Sequence, residues 1–291
     1  MNVGARSLAP DTARRIRWLG PIVALGFALV AAGRPSADGL VDAIPPEYDP
    51  DQVLEKTFDN LYDYDMTTTL TLVLHNGRGE ESIRRAEVAR KRIDGRLHAY
   101  GRFLDPPWMR GTSVLVIDNL ERSDDHFLFL PEHRRVRRVT NVQRTDSFLG
   151  SDLWYEDLER RHVEDYRTFA TRAADFAGEP ALVISAEPIA HSGYARVDFT
   201  IARRDHLLLQ TAFFKADSDD PFKTITLPSR DDTVFEDGHR IPIRLSVENL
   251  RRGTRTEARF EKLRVNPEIS DSLFTSAALE SQRAVRGSSS R

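Results

Sequence analysis

Side chains that could bind a metal or transfer protons are scattered along this chain rather than grouped. Its eight histidines show neither the His-x-x-x-His nor the His-Glu-x-x-His spacing by which one helix binds zinc. Cysteine is absent, which excludes disulfides, thiolate metal sites and a cysteine nucleophile. The histidines are His75, His98, His126, His133, His162, His191, His206 and His239. The spacing therefore predicts no metal site, although strands could bring distant histidines together.

Motifs of nucleotide and hydrolase chemistry are also missing. There is no glycine-rich phosphate loop and no Gly-x-Ser-x-Gly nucleophile elbow. Acidic residues cluster at 217–220 and 231–232, but they adjoin turn residues and lack the calcium-loop pattern, so we interpret them as solvated loops. Two carboxylates on neighbouring strands could still meet, and the sequence leaves that arrangement open. We predict no catalytic residue, no metal, no cofactor and no enzymatic activity.

One segment, residues 110–158, is denser in unusual features than the rest. Its arginine run comprises Arg134, Arg135, Arg137 and Arg138. We expect the run on a hairpin strand, either as solvated charge that discourages edge pairing or as a contact for anionic lipid headgroups or an acidic partner. Ser151 or Asp152 is expected to cap a short helix, and Glu156 or Asp157 to pair with an arginine of the run.

Composition excludes two broad classes of protein. The 291 residues are 40% hydrophobic, which is ample for a packed core and argues against disorder. Basic and acidic residues number 42 and 45, for a formal charge of −3, so the chain is not an electrostatic nucleic-acid binder.

The first 37 residues are typical of an export signal. Arg14, Arg15 and Arg17 precede an uncharged stretch at 18–33, which is shorter than the ~20 apolar residues that span a bilayer. We predict a cleaved signal peptide at 1–37, with an uncleaved anchor as the alternative, and a periplasmic location. A linker at 38–49, one domain at 50–280 and a disordered tail at 281–291 are expected to follow.

After the linker, the pattern predicts one helix and then a long series of strands. Asp49 is a favourable N-cap residue, Pro50 suits the first helical position, and apolar residues recur at helical spacing to about Tyr62. From Thr67 the period changes to the alternation of strands, and short connections mean antiparallel pairing. Strands are expected from 67 to the turn at 75–79 and at 82–93, 96–104, 111–118, 126–130, 134–140, 160–174, 181–187, 194–202, 207–216, 222–227, 240–250 and 254–265, with short helices near 152–158 and 270–279.

The predicted fold is mainly β (α+β), with a single large curved antiparallel sheet. So long a sheet must curl, close into a barrel or split into a sandwich. Several strands are apolar on both faces, for example at 114–117 and 127–130, whereas a half-solvated sheet would alternate. Something must therefore cover the second face: a helix, a second sheet or a bound apolar ligand.

Several motifs within this pattern resemble the outer-membrane lipoprotein-sorting, LolA-like family. They are the Arg110-Gly111-Thr112 strand start, the Phe129-Leu130-Pro131 hairpin with its arginine run, Asp146-Ser147-Phe148-x-Gly150-Ser151-Asp152 and Tyr155-Glu156-Asp157-Leu158. The resemblance covers about residues 50–280. It implies an unclosed β-barrel with a lid of short helices, and an apolar concavity that shields acyl chains in transit between membranes.

The same resemblance implies partners and a gate. Members of this branch are thought to act beside resistance-nodulation-division (RND) transporters, so an inner-membrane transporter and an outer-membrane acceptor are expected partners. The classical carrier holds its lid closed with a barrel arginine, for which Arg134, Arg137 and Arg138 are candidates here. With Asp152, Tyr155 and Asp157 they form the predicted lid or partner contact.

Three functions are weighed from these observations. The first is a periplasmic carrier of acylated or otherwise hydrophobic cargo, with no nucleic-acid partner. The second is a non-enzymatic accessory protein that docks on an RND-type transporter, and the third is an enzyme acting on lipid or polysaccharide. For the first, the predicted cavity lining is Leu70, Leu72, Leu74, Val114, Val116, Phe127, Phe129, Leu208, Phe213, Ile243 and Leu245. A register error of one residue would invert that list strand by strand.

Overall fold

The computed structural model describes residues 48–119 and 123–281, all within one compact unit that spans Val41–Arg291. The predicted signal peptide at 1–37, most of the linker and residues 282–291 of the predicted tail lie outside the described residues. Among the described residues, no helix combines the length and the hydropathy needed to cross a bilayer.

Strands dominate the described part of the chain. They are β1 Met66–His75, β2 Glu81–Ile93, β3 Arg96–Asp105, β4 Ser113–Ile117, β5 Asp125–Leu130, β6 Arg135–Arg138, β7 Tyr166–Phe176, β8 Glu179–Pro188, β9 Arg196–Ala202, β10 Leu208–Phe214, β11 Lys223–Thr226, β12 Thr233–Glu236, β13 His239–Pro242, β14 Arg244–Asn249 and β15 Thr254–Val265. The helices are α1 Pro50–Tyr62 and α2 Ser276–Glu280. Single 3₁₀ turns occupy Pro107–Met109, Asn141–Thr145, Phe148–Gly150, Tyr155–Leu158, Val163–Asp165, Arg230–Asp232 and Asp271–Leu273.

Thirteen of these strands form one antiparallel sheet in the order β6-β5-β4-β3-β2-β1-β15-β14-β11-β10-β9-β8-β7. Two meanders, β1–β6 and β7–β11, are joined through β14 and β15, so the last strand pairs with the first. The edge strands β6 and β7 do not pair with each other, and the sheet is not closed. The predicted fold class, a large unclosed antiparallel sheet with few helices, is confirmed.

Helix α1 forms as its sequence predicts. The Asp49 carboxylate accepts a hydrogen bond from the Asp51 amide at 3.0 Å, and Pro50 occupies the first helical position. Its apolar stripe, Val53, Leu54 and Phe58, is buried against the inner face of β8 and β9. One end of the sheet's inner face is therefore covered by a helix.

Some predicted elements differ from the structure for local reasons. The strand expected at 240–250 is two strands, β13 and β14, since β13 pairs with β12 in a separate hairpin that the sequence pattern did not predict. The helix expected at 152–158 is a 3₁₀ turn whose N-cap residue is Trp154, so the predicted capping role of Ser151 or Asp152 is wrong. The strand expected from 160 begins at Tyr166, because residues 163–165 form a further turn.

Both faces of the sheet are covered at the β3–β5 end, which explains the two-sided apolar strands. Val114 and Leu128 are register partners on the inner face, under Phe148. The next residues along, Leu115 and Phe127, point to the outer face. There Ile269, Leu273 and Phe274 of the C-terminal segment pack on them.

Candidate functional site: a covered apolar cavity

An apolar cavity lies on the inner face of the sheet, over β1, β15, β14, β11 and β10. Its volume is about 310 Å³, within the roughly 300–1,000 Å³ typical of ligand sites. Its floor follows the register of the central strands: Leu72 and Leu245 both pair with Ala258, and Leu70 pairs with Phe260. The alternation that places these side chains on one face is the period of two seen in the sequence.

Two covers contribute side chains to the walls of this cavity. The last turn of α1 and the residues after it supply Leu61, Tyr62 and Tyr64 to one wall. A further wall comes from residues 141–165, here named the cover segment, through Leu153, Leu158 and others. Helix α1 ends at Tyr62, and the floor residues Leu70, Leu245 and Phe260 are only half-buried.

Four of the eleven predicted lining residues face the cavity: Leu70, Leu72, Leu208 and Leu245. Leu74 packs beside it with Leu72 and Ala258. Val114 and Val116 are on the inner face but lie in the core under the cover segment. Phe213 is buried among Tyr194, Phe222 and Phe199. Ile243 is outside the lining, although its carbonyl accepts a hydrogen bond from the Phe260 amide at the cavity floor.

Phe127 and Phe129 lie on the wrong face for the predicted role. They pack in the outer-face cluster under the C-terminal segment, whereas Val114 and Val116 belong to the inner face. The sequence prediction assigned Val114, Val116, Phe127 and Phe129 to the same face. Both strands are apolar on both faces, so hydrophobicity alone does not fix their register. In the structure Ser113 pairs with Phe129, so Phe127 and Phe129 lie on the face opposite to that of Val114 and Val116.

The sequence prediction missed much of the lining. Unpredicted members include Tyr62, Tyr64, Arg90, Arg161, Leu209, Ile225, Leu227, Ile241, Val247, Ala258, Phe260 and Leu263. The pairing of β1 with β15 carries several of these residues to the floor, and it joins segments almost 200 residues apart. A pattern read within single strands contains no signal for that pairing.

A buried ion pair holds the cover segment on the sheet. The Lys223 ammonium on β11 donates to the Asp157 carboxylate at 2.5 Å, and both side chains are fully buried. The Tyr194 hydroxyl donates to the same carboxylate at 2.6 Å. Burial lowers the pKa of Lys223 although Asp157 opposes it, and burial raises the pKa of Tyr194 well above its ordinary value, with Asp157 adding to the rise.

Asp157 therefore pairs with a lysine, and the predicted pairing of Asp157 with the arginine run is wrong. The other carboxylate considered, Glu156, accepts from Ser192 and from the Gly193 amide, and it lies 3.9 Å from Arg144. Among the described residues no arginine of the run forms an ion pair with Asp157 or Glu156, and Arg138 pairs with Asp125 instead.

The remaining predicted contact residues also have defined places. Asp152 is buried and accepts hydrogen bonds from Thr254 at 2.5 Å and Thr256 at 2.8 Å, which fixes the cover segment to β15. Tyr155 is buried edge-on to Phe148. Arg134 and Arg137 are exposed. Arg138 is exposed as well and forms an ion pair with Asp125.

The arginine that lies beneath the cover segment is Arg84 on β2, not a member of the arginine run. It is buried on the inner face, and its guanidinium is 3.3 Å from the position that a Cβ on Gly150 would occupy. Among the described residues its Nε and Nη1 atoms have no hydrogen-bond partner, and burial lowers its pKa. Gly150 has a φ of +80°, a conformation that glycine adopts readily and that lets the turn approach Arg84.

A polar pocket of about 230 Å³ adjoins the central cavity, and the two share Arg161. Arg144 donates two hydrogen bonds to Glu159, at 2.7 and 2.5 Å, inside this pocket. Asp124 lines it too, and burial raises the pKa of this carboxyl to about 8. Within residues 48–119 and 123–281, no three histidine or acidic side chains are grouped so that they could hold a metal ion.

Comparison with solved structures identifies the fold. A domain from Vibrio parahaemolyticus described as an outer membrane lipoprotein-sorting protein superposes with a TM-score of 0.73 at 22% identity, covering 79% of this chain and 97% of that one. A DUF1329 family protein from Desulfovibrio piger gives 0.72 at 22%, covering 79% and 96%. A LolA superfamily protein from Nitrosomonas europaea gives 0.62 at 17%, covering 77% and 96%.

Comparison with family models identifies the family. A model with the description "-like: Uncharacterized protein" matches residues 96–281, more than half of the chain. The chain belongs to that family, and its fold is that of the LolA superfamily. No curated protein sequence matches it. The matched residues of this LolA-like chain hold most of the cavity floor and the whole cover segment. The solved structures of the same fold confirm the resemblance noted in the sequence.

Proposed function

We propose that this protein is a periplasmic carrier that encloses an acyl chain of lipidated or otherwise hydrophobic cargo in the central cavity and moves it between membranes. The observation that carries the proposal is the cavity of about 310 Å³, which lies between two covers and is lined mainly by aliphatic and aromatic side chains. The Vibrio parahaemolyticus domain of the same fold is described as a lipoprotein-sorting protein, which supports this class of function.

Solvation explains why such cargo needs a cavity. Each methylene removed from water is worth about 0.8 kcal/mol, so a free acyl chain crosses an aqueous compartment poorly. A cavity with a floor such as Leu72, Leu245 and Phe260 replaces water around the chain without forming any covalent bond. The proposed role needs no nucleophile, metal or nucleotide, and the direction of transfer must come from partner proteins.

A cavity-filling variant tests the proposal. Ala258 is buried at the cavity floor, so Ala258→Phe places a ring where the chain would lie. The matched control is Ala170→Phe on the edge strand β7, where the alanine is exposed. We expect the purified protein and the control to bind a fluorescent fatty acid in a saturable way, and Ala258→Phe to bind it at least tenfold more weakly.

Thermal unfolding of all three proteins shows whether the loss of binding reflects a filled cavity or a loss of structure. If Ala258→Phe is folded and binds as the unaltered protein does, the cavity is not the carrier site. Failure of the unaltered protein to bind any apolar probe contradicts the proposal outright.

A second candidate, docking on an acidic partner such as a membrane transporter, is favoured by the arginine run. Its four arginines are exposed on the edge strand β6 or at its start, and only Arg138 has an ion-pair partner among the described residues. Charge reversal at Arg137 and Arg138 would abolish capture of the partner and leave fatty-acid binding unchanged. If capture survives the reversal, this candidate is wrong.

A further inference from the structure

Two arginines border the central cavity, although nearly all of its other lining residues are apolar. Arg161 follows the Tyr155–Leu158 turn of the cover segment and lines both the cavity and the polar pocket. Arg90 lies on β2, is buried and lines the cavity as well. Tyr62 lines the cavity with both arginines, and the Arg90 guanidinium lies 5.7 Å from its ring centroid. The lining of this mainly apolar site therefore includes two cations.

Neither guanidinium forms an ion pair with a carboxylate of the described residues. Within residues 48–119 and 123–281, no Asp or Glu oxygen lies within 4.0 Å of a charged nitrogen of Arg161 or Arg90. Arg90 donates to the Tyr64 carbonyl at 3.3 Å and stacks on the Tyr64 ring at 4.4 Å, and its Nε has no partner among these residues. Arg161 lies 5.7 Å from the centroid of the Phe213 ring.

The acidic residue in the cavity wall is already neutralised. Asp157 lines the cavity, but its carboxylate accepts from the Lys223 ammonium and from the Tyr194 hydroxyl. Arg161 is a cation, because a guanidinium keeps its proton in proteins. The cavity wall therefore carries two guanidinium charges, while the one carboxylate among its described lining residues is paired with Lys223.

A desolvated guanidinium without a counter-ion is costly, and it binds planar anions through paired hydrogen bonds. We propose that the cavity takes an anionic amphiphile, with its carboxylate or phosphate on Arg161 and Arg90 and its apolar chain along Leu70, Leu72 and Leu245. This inference rests on the proposed function and specifies its ligand class. An acyl chain with an uncharged head leaves both arginines unpaired.

Probes with one chain and different heads test the proposal. We would titrate the purified protein with decanoate, decyl phosphate, decanol and decyltrimethylammonium below their micelle concentrations, by calorimetry. We expect both anions to bind at least tenfold more tightly than decanol, as a charge-assisted hydrogen bond implies. The cation should bind most weakly. If decanoate binds more tightly than decyl phosphate, the natural ligand carries a carboxylate, as fatty acids do; the reverse order indicates a phosphate headgroup.

Variants of Arg161 test whether this side chain causes the preference for anionic head groups. Arg161→Gln should lower decanoate affinity about tenfold and leave decanol affinity unchanged. Arg161→Lys keeps the charge and should retain part of the preference. Arg167→Gln, six residues away on the exposed edge strand, is the control and should leave every affinity unchanged. The probe comparison on the unaltered protein needs no variant, so it decides the matter even if Arg161→Gln does not fold.

Two results overturn the inference in different ways. If decanol binds as tightly as decanoate, or if Arg161→Gln weakens all four probes equally, the head is not recognised and only this inference fails. If none of the four probes binds, the proposed carrier function fails with it.

Discussion

Single side chains, more than any motif, hold the cover segment on the sheet. Lys223 is the clearest case: its ammonium lies 4.3 Å from the centroid of the Trp154 ring and 4.8 Å from those of Tyr194 and Phe213, and it is paired with Asp157. A buried charge that loses its partner costs several kcal/mol, whereas replacing both partners by apolar groups is often neutral. The ion pair therefore fixes where the cover segment sits, whatever its net contribution to stability.

Lys223→Met tests this role. The substitution leaves Asp157 buried without its cation, so we expect the free energy of unfolding to fall by about 3 kcal/mol. The control, Lys215→Met, removes a neighbouring ammonium that is half-buried and donates to the Gly193 carbonyl, and it should cost less than about 1.5 kcal/mol. Urea denaturation measures both. An equal fall in the free energy of unfolding in both variants would show that the buried ion pair stabilises the fold no more than the Lys215 hydrogen bond does.

Asp124 predicts a pH dependence. Burial raises the pKa of its carboxyl to about 8 from an ordinary value of 3.8, so the folded state keeps a proton that the unfolded state releases. This group therefore lowers stability as pH rises from about 4 to about 8, by about 1.4 kcal/mol per pH unit. Asp124→Asn should remove that slope and be the more stable protein at pH 8.

Urea denaturation of the unaltered protein and of Asp124→Asn at pH 5, 6, 7 and 8 measures the difference in slope. The same change at the fully exposed Asp219 is the control and should leave the slope as it is. Parallel pH profiles for Asp124→Asn and the unaltered protein would mean that this carboxyl is ionised in the fold.

At the level of elements, most of the structure followed from periodicity and turn chemistry. The bounds of α1 and of β15 agree with the pattern because each has a strong local signal: the Asp49-Pro50 start for the helix, and long alternation between turns for the strand. What the pattern could not supply was pairing between distant strands. Phe127 and Phe129 show the consequence, since their face depends on the register of β5 against β4.

The cover segment depends on a close approach at one glycine. A Cβ on Gly193 would lie 2.5 Å from Thr145 Cγ2 and 2.6 Å from Trp154 Cζ3, so nothing larger than hydrogen fits there. Gly193→Ala should therefore displace the cover segment and cost about 1–3 kcal/mol of stability, as overpacking does. Hydrogen exchange should rise at residues 141–158 in particular.

Gly101→Ala on β3 is the control, because a Cβ there meets nothing within 4 Å, and it should leave hydrogen exchange at 141–158 as it is. If Gly193→Ala leaves exchange of that segment unaltered, the contact between the Gly193 turn and the cover segment is not what holds the segment in place.

At the level of the whole domain, the sheet places apolar surface where the helices do not cover it. Helix α1 covers the inner face at β8 and β9, and the cover segment covers it at β3–β5. The cavity remains over the central strands, where β15 joins the first meander to the second. The sequence indicated that a sheet this long had too few helices to cover both faces, but the position of the gap depends on tertiary contacts such as Lys223 with Asp157.

The most direct test of the account asks where a bound chain lies. A fatty acid with a diazirine at its chain end would be bound to the purified protein and irradiated, and the adducts mapped by peptide mass spectrometry, with unlabelled fatty acid as competitor. We predict competitor-sensitive adducts on β1 around Leu70 and Leu72 and on β15 around Ala258 and Phe260. Adducts confined to the outer face around Phe129 and Leu273, or labelling that the competitor does not reduce, would contradict the claim that the central cavity encloses the chain.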